Sequence, residues 1–164
     1  MTKQQSFYFG NVRGKDFDPY KGILLDAEIN QRKRDFDLAV DKAMKAELAV
    51  DKIIRLDYVN FKTGSANLTD LSKYELQNVA AMMKKYPNMT IEVAGHTDNT
   101  GNPEANQALS QARAQAVYDF LKDLNVVEDR MYPRGYGINN PIDTNDTPEG
   151  RANNRRTEFQ ILTQ

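Results

Sequence analysis

TIEVAGHTDNTGNPEANQALSQARA, residues 90–114, is the stretch on which the fold depends, because it joins a strand, a polar loop and a helix. The alternation of apolar and polar residues in TIEVAG predicts a strand over Thr90–Gly95. Asn102 is a suitable N-cap and the proline after it a good first helical residue, so we expect a helix over Pro103–Leu124. Small and apolar residues at helical spacing form its expected inward face: Ala105, Ala108, Leu109, Ala112, Ala116, Phe120 and Leu124.

The sequence on both sides repeats this alternation of strand and helix. Apolar patterns predict strands at Ile53–Phe61, Asp129–Tyr136 and Arg155–Leu162, and a helix at Asp70–Tyr86, with a polar loop at 137–150. Because the helices must cover a sheet to bury their apolar faces, the sequence predicts an α+β fold, a two-layer β-α-β-α-β-β sandwich. Its mixed sheet of about four strands should carry the helices on one face, and strands joined by a helical crossover should be parallel or separated by a third strand.

The N-terminal part has a different character. Residues 1–34 show no clean period and are punctuated by glycines, so we expect irregular structure there. From Asp35 to Val50 the sequence predicts a helix that docks on the rest of the chain. The apolar stripe of this helix is Phe36, Val40, Ala43 and Val50. The chain therefore divides into an N-terminal extension over residues 1–50 and a domain over residues 51–164.

The composition excludes several classes of function. The chain has 164 residues, a net charge of −1 and no cysteine. Nucleic-acid-binding domains usually carry a basic surplus, which is missing here. The lack of cysteine excludes disulfides, zinc–thiolate sites and thiol catalysis. No apolar run approaches the ~18 residues of a membrane span. Residues 1–20 also lack the apolar core of a signal peptide. If the protein is exported, we therefore expect this sequence to be a fragment of it.

Asp98 and Arg113 are the residues best suited to bind a ligand. Asp98 lies in the loop between the strand and the helix, close to the free N–H groups of the helix start. Arg113 and Asn106 share one face of that helix. A ligand with both an ammonium and a carboxylate group needs an acceptor such as aspartate and a donor such as arginine a few ångströms apart. Each residue also has a plainer interpretation, as a turn aspartate and as a solvated arginine.

The single histidine of the chain does not indicate catalysis. His96 and Asp98 lie two residues apart on a strand-like segment, where their side chains do not readily hydrogen-bond to each other. No nucleophile sits in a recognisable elbow, and a metal site would need further ligands. We therefore expect no enzyme activity, no metal and no cofactor, and a structural His96 that donates to a backbone carbonyl.

The last segment carries a pair of arginines close to an acidic residue. Arg155 and Arg156 stand at the start of the predicted final strand, and Glu158 follows. The pair indicates either a local salt-bridge network or support for the ligand site.

Five segments together resemble a known family. In chain order they are VNFKTGSANLT (59–69), IEVAGHTDNTGN (91–102), NQALSQARA (106–114), RMYPRGYGINNPI (130–142) and EGRANNRRTEF (149–159). Each is weak alone, but their order and intervals resemble those of the OmpA-like peptidoglycan-binding domain, of OmpA, Pal and MotB type. The resemblance covers about residues 53–162 and leaves residues 1–50 outside.

This resemblance implies a function and a set of site residues. Members of the family bind the peptide stem of peptidoglycan non-covalently, centred on diaminopimelate, and tether an outer-membrane or envelope protein to the cell wall. The implied ligand-binding residues are Asp98, Arg113, Asn106, Thr97 and Asn99. The implied pocket support comes from Phe61, Thr63, Gly64, Leu109 and Arg155. Lys62 stands where the family commonly has an aspartate, which affects any ligand contact expected from that position.

The resemblance also implies a location at the periplasmic face of the outer membrane of a Gram-negative bacterium, with attachment through an upstream segment. Residues 1–50 are then a linker, a dimerising helix or an addition that docks on the domain. Two other interpretations stay open. One is an envelope assembly module that acts through residues 1–50, forms a homodimer and has a vestigial pocket. The other is a peptidoglycan hydrolase, which the missing nucleophile and metal ligands disfavour.

Overall fold

The computed structural model describes residues 26–164, and predictions for residues 1–25 lie outside this range. Its helices are α1 Asp26–Lys45, α2 Asp70–Lys85, α3 Pro103–Asp123 and α4 Pro148–Asn154, and its strands are β1 Ile53–Arg55, β2 Thr90–His96, β3 Met131–Gly137 and β4 Thr157–Thr163. Short 3-10 turns at Ala49–Lys52 and Glu128–Arg130 precede β1 and β3. Every helix in the described part is too short or too polar to span a bilayer.

The strands form one mixed sheet in the order β1-β4-β2-β3. β2 and β3, which are joined through α3, are parallel. β4 is antiparallel to both β1 and β2. β1 and β2, which are joined through α2, are therefore separated by β4. The predicted α+β sandwich and the rule for its helical crossovers are both confirmed.

One face of the sheet carries the hydrophobic core. Ile91 and Val93 of β2 and Phe159 and Ile161 of β4 are buried beneath the helices. α3 packs on β2 and β3, whereas α1 packs on α2 and β1. The two-residue alternation of these core residues is that of a sheet covered by helices on one face.

The start of α3 follows the prediction, but its inward face does not. The Asn102 side chain accepts a hydrogen bond from the Ala105 N–H at 2.9 Å, as an N-cap should. The buried residues of α3 are Ser110, Ala114, Val117 and Leu121, while Ala105, Ala108 and Ala112 are exposed and Leu109, Ala116, Phe120 and Leu124 are half-buried. The cause is the place where the sheet allows a close approach: a Cβ atom on Gly95 would lie 2.4 Å from the Ser110 carbonyl oxygen, and one on Gly135 would lie 2.3 Å from the Gln111 amide nitrogen. The glycines of the sheet therefore receive the side of α3 that carries Ser110 instead of the predicted side.

α1 belongs to the same core as the sandwich. Phe36, Val40 and Ala43 are buried as predicted, and the Phe36 ring centroid lies 6.1 Å from that of Phe159. Val50 is instead 70% exposed, because it lies beyond the end of the helix. The division of the chain at residue 50 stays a prediction, although the apolar face of α1 is docked on the domain.

α1 also begins earlier than the sequence predicts. The helix covers residues 26–34, where we expect irregular structure. Side-chain pairs one turn apart stabilise this stretch, among them Lys33 with Asp37 at 2.8 Å and Gln31 with Asp35 at 2.7 Å. Such pairs stabilise a helix even where the sequence has no apolar residues at helical spacing.

The bounds of β3 and β1 also differ from the predictions. β3 covers Met131–Gly137 rather than Asp129–Tyr136, because the 3-10 turn Glu128–Arg130 takes up its predicted first residues. β1 ends at Arg55 rather than Phe61, because the Val59 N–H turns back to the Leu56 carbonyl at 3.2 Å. Phe61 pairs only through an isolated bridge with Leu68.

α4 covers the end of the predicted polar loop and the residues between that loop and the predicted last strand, and β4 begins two residues later than predicted. The Thr147 hydroxyl accepts from the Gly150 N–H at 3.0 Å and caps this helix. A seven-residue polar helix shows no apolar stripe by which to recognise it.

Candidate functional site

The candidate site lies at the end of β2, where the loop toward α3 begins. Asp98 is buried, and its Oδ1 accepts a hydrogen bond from the Thr100 N–H at 2.8 Å. The Thr97 hydroxyl donates to the Asp98 carbonyl at 2.9 Å, and the Thr97 N–H donates to the Gly137 carbonyl at 2.9 Å. The loop is therefore held by its own hydrogen bonds, and one oxygen of Asp98 has the role of a turn aspartate.

The other carboxylate oxygen of Asp98 is paired with an arginine. Arg155 Nη1 donates to Oδ2 at 2.6 Å, from a side chain that is half exposed. Burial acts to raise the pKa of Asp98, but the hydrogen bonds from Arg155 and Thr100 outweigh it, and the pKa lies below its usual value. Asp98 is thus kept as a carboxylate, with Arg155 between it and the solvent.

Arg113 reaches the site from the middle of α3. Its Nε donates to the Ser65 carbonyl at 3.0 Å, and its guanidinium carbon lies 5.1 Å from the centroid of the Phe61 ring. Burial, together with the nearby charge of Arg155, lowers the pKa of Arg113. Arg113 is therefore a fixed, partly desolvated guanidinium rather than a solvated surface charge.

A cavity of about 350 Å³ opens beside Arg113 and Arg155. It is lined by Val59, Asn60, Phe61, Thr63, Gly64, His96, Arg113, Ala152, Arg155, Arg156 and Thr157. Because this lining holds arginines and no acidic residue, it suits a carboxylate group. A larger cavity of about 450 Å³ lies by the C-terminal ends of α2 and α3, but its arginine, Arg130, donates to three backbone carbonyls. We therefore assign the candidate site to the smaller cavity.

The structure separates the predicted site residues into two groups. Those that line the cavity are Phe61, Thr63, Gly64, Arg113 and Arg155, and those that do not are Asp98, Thr97, Asn99, Asn106 and Leu109. Asn106 donates to the Thr100 carbonyl at 2.8 Å and so secures the loop. Asn99 is exposed, and its N–H lies 3.4 Å from Asn145 Oδ1. Lys62 is also exposed and does not line the cavity.

The sequence predicts a structural role for His96, which is one of the residues around the cavity but has both ring nitrogens buried. The side chain is 2% exposed and stacks on Tyr136, with ring centroids 5.2 Å apart and planes 7° apart. Nε2 lies 3.0 Å from Glu158 Oε1, although within the described residues neither ring nitrogen makes a well-aligned hydrogen bond. The predicted donation to a backbone carbonyl is therefore wrong, because the neighbour of His96 is a carboxylate from β4.

Arg156 is the third arginine of the cavity. Its Nε donates to Glu158 Oε2 at 3.1 Å, and its Nη2 donates to the Asn140 carbonyl at 3.0 Å. For Glu158, burial acts to raise the pKa, but His96 and Arg156 outweigh it, and the pKa falls below its usual value. Of the two interpretations of the arginine pair, Arg156 matches the local salt-bridge network and Arg155 faces the site.

The arrangement is suited to binding charged groups rather than to holding a metal. Across residues 26–164, no three side chains of histidine, aspartate or glutamate are grouped so that they could hold a metal ion. The Arg155 guanidinium pairs with the buried carboxylate of Asp98, and its charge also acts on Arg113. These charges of both signs lie close together, as recognition of a zwitterionic group requires.

Comparison with known proteins extends this description. The OmpA family model matches residues 60–155, a range that includes Asp98, Arg113 and Arg155. The chain is 43% identical over 106 residues to the outer membrane protein Omp38 of Acinetobacter baumannii, an alignment that covers 64% of this chain and 30% of that protein. The chain thus spans about a third of the length of such curated relatives.

Two solved structures share the fold. The cell wall anchor of the T6SS from Pseudomonas aeruginosa is 34% identical with a TM-score of 0.59, over 68% of this chain and 80% of that one. The peptidoglycan-associated lipoprotein from Burkholderia pseudomallei is 31% identical with a TM-score of 0.57, over 65% of this chain and 88% of that one.

Proposed function

Because the chain belongs to the OmpA family, we propose that it binds the peptide stem of peptidoglycan non-covalently and tethers an envelope protein to the cell wall. The similar proteins support this function, since one is a cell wall anchor and another a peptidoglycan-associated lipoprotein. Omp38 is an outer membrane protein, so the location that we propose is the periplasmic face of an outer membrane, with attachment through another part of the protein.

The observation that carries the proposal is the pair of cavity-lining arginines, Arg113 and Arg155, with the buried carboxylate of Asp98 paired to Arg155. The free end of diaminopimelate has an ammonium and a carboxylate group on one carbon atom. We assign the carboxylate to Arg113, whose planar guanidinium can bind both oxygens, and the ammonium to Asp98, as a charge-assisted acceptor. The hydrogen bond to Ser65 and the Phe61 ring hold Arg113 in place before the ligand arrives, which reduces the entropy lost on binding.

The ion pair between Asp98 and Arg155 has to adapt when the ligand binds. Arg155 is 2.6 Å from Oδ2, so the ligand ammonium must share that oxygen or displace the arginine. The half-exposed Arg155 side chain can then turn toward the ligand carboxylate, beside Arg113. In the free protein the pair keeps Asp98 ionised and positioned for the ligand.

Binding is tested with purified sacculi and with a tripeptide that ends in meso-diaminopimelate, by pull-down and calorimetry. Asp98→Asn removes the charge but keeps an acceptor for the Thr100 N–H, and Arg113→Ala removes the guanidinium. Each change should weaken binding by roughly 2 kcal/mol or more, about thirtyfold, because a desolvated charge loses its partner. Arg34→Ala on the exposed side of α1 is the matched control. Wild-type affinity in both folded site variants would refute the assignment.

We propose binding without catalysis. The cavity lining supplies charged arginine donors, but it contains no serine or cysteine to act as a nucleophile. The purified protein should therefore retain sacculi without degrading them. Release of soluble muropeptides would favour the hydrolase interpretation instead.

The assembly interpretation, in which residues 1–50 make a homodimer, stays a prediction. α1 uses its apolar face within its own chain, through Phe36, Val40 and Ala43, so that face is not available to a second copy. Light scattering of the full chain measures the oligomeric state directly. A monomer that binds sacculi would exclude assembly as the main function.

A further inference from the structure

A short hairpin between β1 and α2 forms one side of the cavity. Its ends meet in the bridge between Phe61 and Leu68, and inside this bridge the Lys62 N–H donates to the Asn67 carbonyl at 3.0 Å. We call residues 61–68 the site hairpin. Three of its residues line the cavity: Phe61, Thr63 and Gly64.

One glycine sets the turn of the site hairpin. The Ser65 N–H donates to the Lys62 carbonyl at 3.0 Å, and Gly64, the third residue of this turn, has a φ of +64°. A positive φ at the third position is that of a type II turn, which favours glycine or asparagine there. A Cβ atom on Gly64 would have no atom within 4 Å. The backbone conformation, and not a lack of space, is therefore what a side chain at this position would disturb.

The turn presents a backbone carbonyl to the arginine of α3. Arg113 Nε donates to the Ser65 carbonyl at 3.0 Å, and the Arg113 guanidinium carbon lies 5.1 Å from the centroid of the Phe61 ring. Both contacts come from the site hairpin, so this hairpin fixes where the guanidinium of Arg113 lies.

The contact with Ser65 also decides which hydrogens of Arg113 are left for a ligand. A guanidinium can bind both oxygens of a carboxylate side-on, through Nε and one Nη, or end-on, through its two Nη groups. Nε carries a single hydrogen, and Ser65 accepts it. Neither Nη atom of Arg113 is among the buried atoms without a partner in residues 26–164, and neither donates to another described residue. Both Nη groups are therefore accessible, and the end-on pair is the one left open.

We propose that the site hairpin is a positioning element for Arg113, which makes the guanidinium bind the ligand carboxylate end-on, through Nη1 and Nη2. Gly64 and Ser65 are then positioning residues that act through Arg113. This inference rests on the proposed function and adds the geometry of carboxylate binding to it. A hairpin that opened would free Nε and let the Arg113 side chain move away from the orientation that the ligand needs.

NMR of the arginine side chains tests the geometry directly, with the Arg113 resonances assigned from their loss in Arg113→Ala. The Nε–H of Arg113 should exchange slowly with solvent before any ligand is added, because Ser65 holds it. Saturation with the diaminopimelate tripeptide should leave the Nε–H resonance in place and shift the Nη–H resonances. An Nε–H resonance that shifts with the ligand while the Nη–H resonances stay in place would overturn the proposal.

Two substitutions at Gly64 separate the conformation of the turn from the volume added beside the cavity. Gly64→Asn and Gly64→Val add side chains of similar size, but asparagine tolerates a positive φ and β-branched valine does not. The Val variant should bind the tripeptide roughly tenfold more weakly than the Asn variant, and its Arg113 Nε–H should exchange faster. Equal affinities in the two folded variants would contradict the inference.

A double-mutant cycle tests whether the hairpin acts through Arg113. In an Arg113→Ala background the Asn and Val variants should bind the tripeptide with equal affinity, since the group that the hairpin positions is gone. A difference of tenfold that persists in this background would overturn the positioning role, because the turn would then act on the ligand by another route.

Failure of this inference can be told from failure of the proposed function. A wild-type protein that binds neither sacculi nor tripeptide removes both. A wild-type protein that binds and depends on Arg113, but whose Asn and Val variants at Gly64 bind equally, removes only the role of the site hairpin.

Discussion

Replacement of Glu75 by glutamine should stabilise the protein above neutral pH. Glu75 lies on α2 and faces α1, where Ile29 and Arg32 border the same small cleft, and it is 6% exposed. Burial raises its pKa from the ordinary 4.5 to about 7; Arg32 opposes this change, and Asp57 adds to it. The Arg32 guanidinium lies 3.8 Å from the centroid of the Tyr58 ring.

The direction of the pH dependence follows from this raised pKa. The folded protein holds the Glu75 proton more tightly than the unfolded chain does, so folding is favoured while the carboxyl group is protonated. Its contribution to stability is complete below pH 4.5 and is lost as the pH rises to about 7. At ~1.4 kcal/mol for each pH unit, the loss amounts to at most about 3.5 kcal/mol. Glu75→Gln keeps the shape of the side chain and removes the ionisation.

Chemical denaturation of the wild type and the variant across this pH range tests the reasoning. The free energies of unfolding should agree below pH 4.5, and the variant should be more stable by up to about 3.5 kcal/mol near pH 8. Glu104→Gln, at an exposed position in the first turn of α3, is the control and should show no such trend. A difference between Glu75→Gln and wild type that does not change with pH would refute the reasoning.

Two further predictions concern packing. Gly135→Ala would place a methyl group 2.3 Å from the Gln111 amide nitrogen, so α3 must move away from the sheet. Thermal denaturation should show that the free energy of unfolding falls by roughly 1–3 kcal/mol. An unchanged melting midpoint would contradict this close approach. Phe36→Ala removes a buried ring that packs on Phe159, so the free energy of unfolding should fall by roughly 3–5 kcal/mol in a single transition if α1 belongs to the core. Leu38→Ala, at an exposed position on the same helix, is its control, and an equally small loss in both variants would show that α1 adds nothing to the core.

Local patterns predict the strands and helices where the pattern is long and regular. The alternation in TIEVAG and the cap at Asn102 correctly bound β2 and the start of α3. The sequence does not predict the short polar helix α4 or the early start of α1, because neither segment has apolar residues at helical spacing. In the site, the charges of Asp98 and Arg113 could be chosen from their chemistry and spacing. The surroundings of His96 could not be predicted, because they depend on Tyr136 and Glu158, which no local pattern connects to it.

The fold class, the order of the four strands and the three longer helices, and the choice of Asp98 and Arg113 follow from the sequence alone, because each depends on residues close together in the chain. Only the tertiary structure decided which face of α3 is buried, since the glycines of β2 and β3 set how near its backbone comes. It also decided that Asp98 is paired before any ligand arrives. Asp98 and Arg155 are 57 residues apart, and only the pairing of β4 with β2 brings them together.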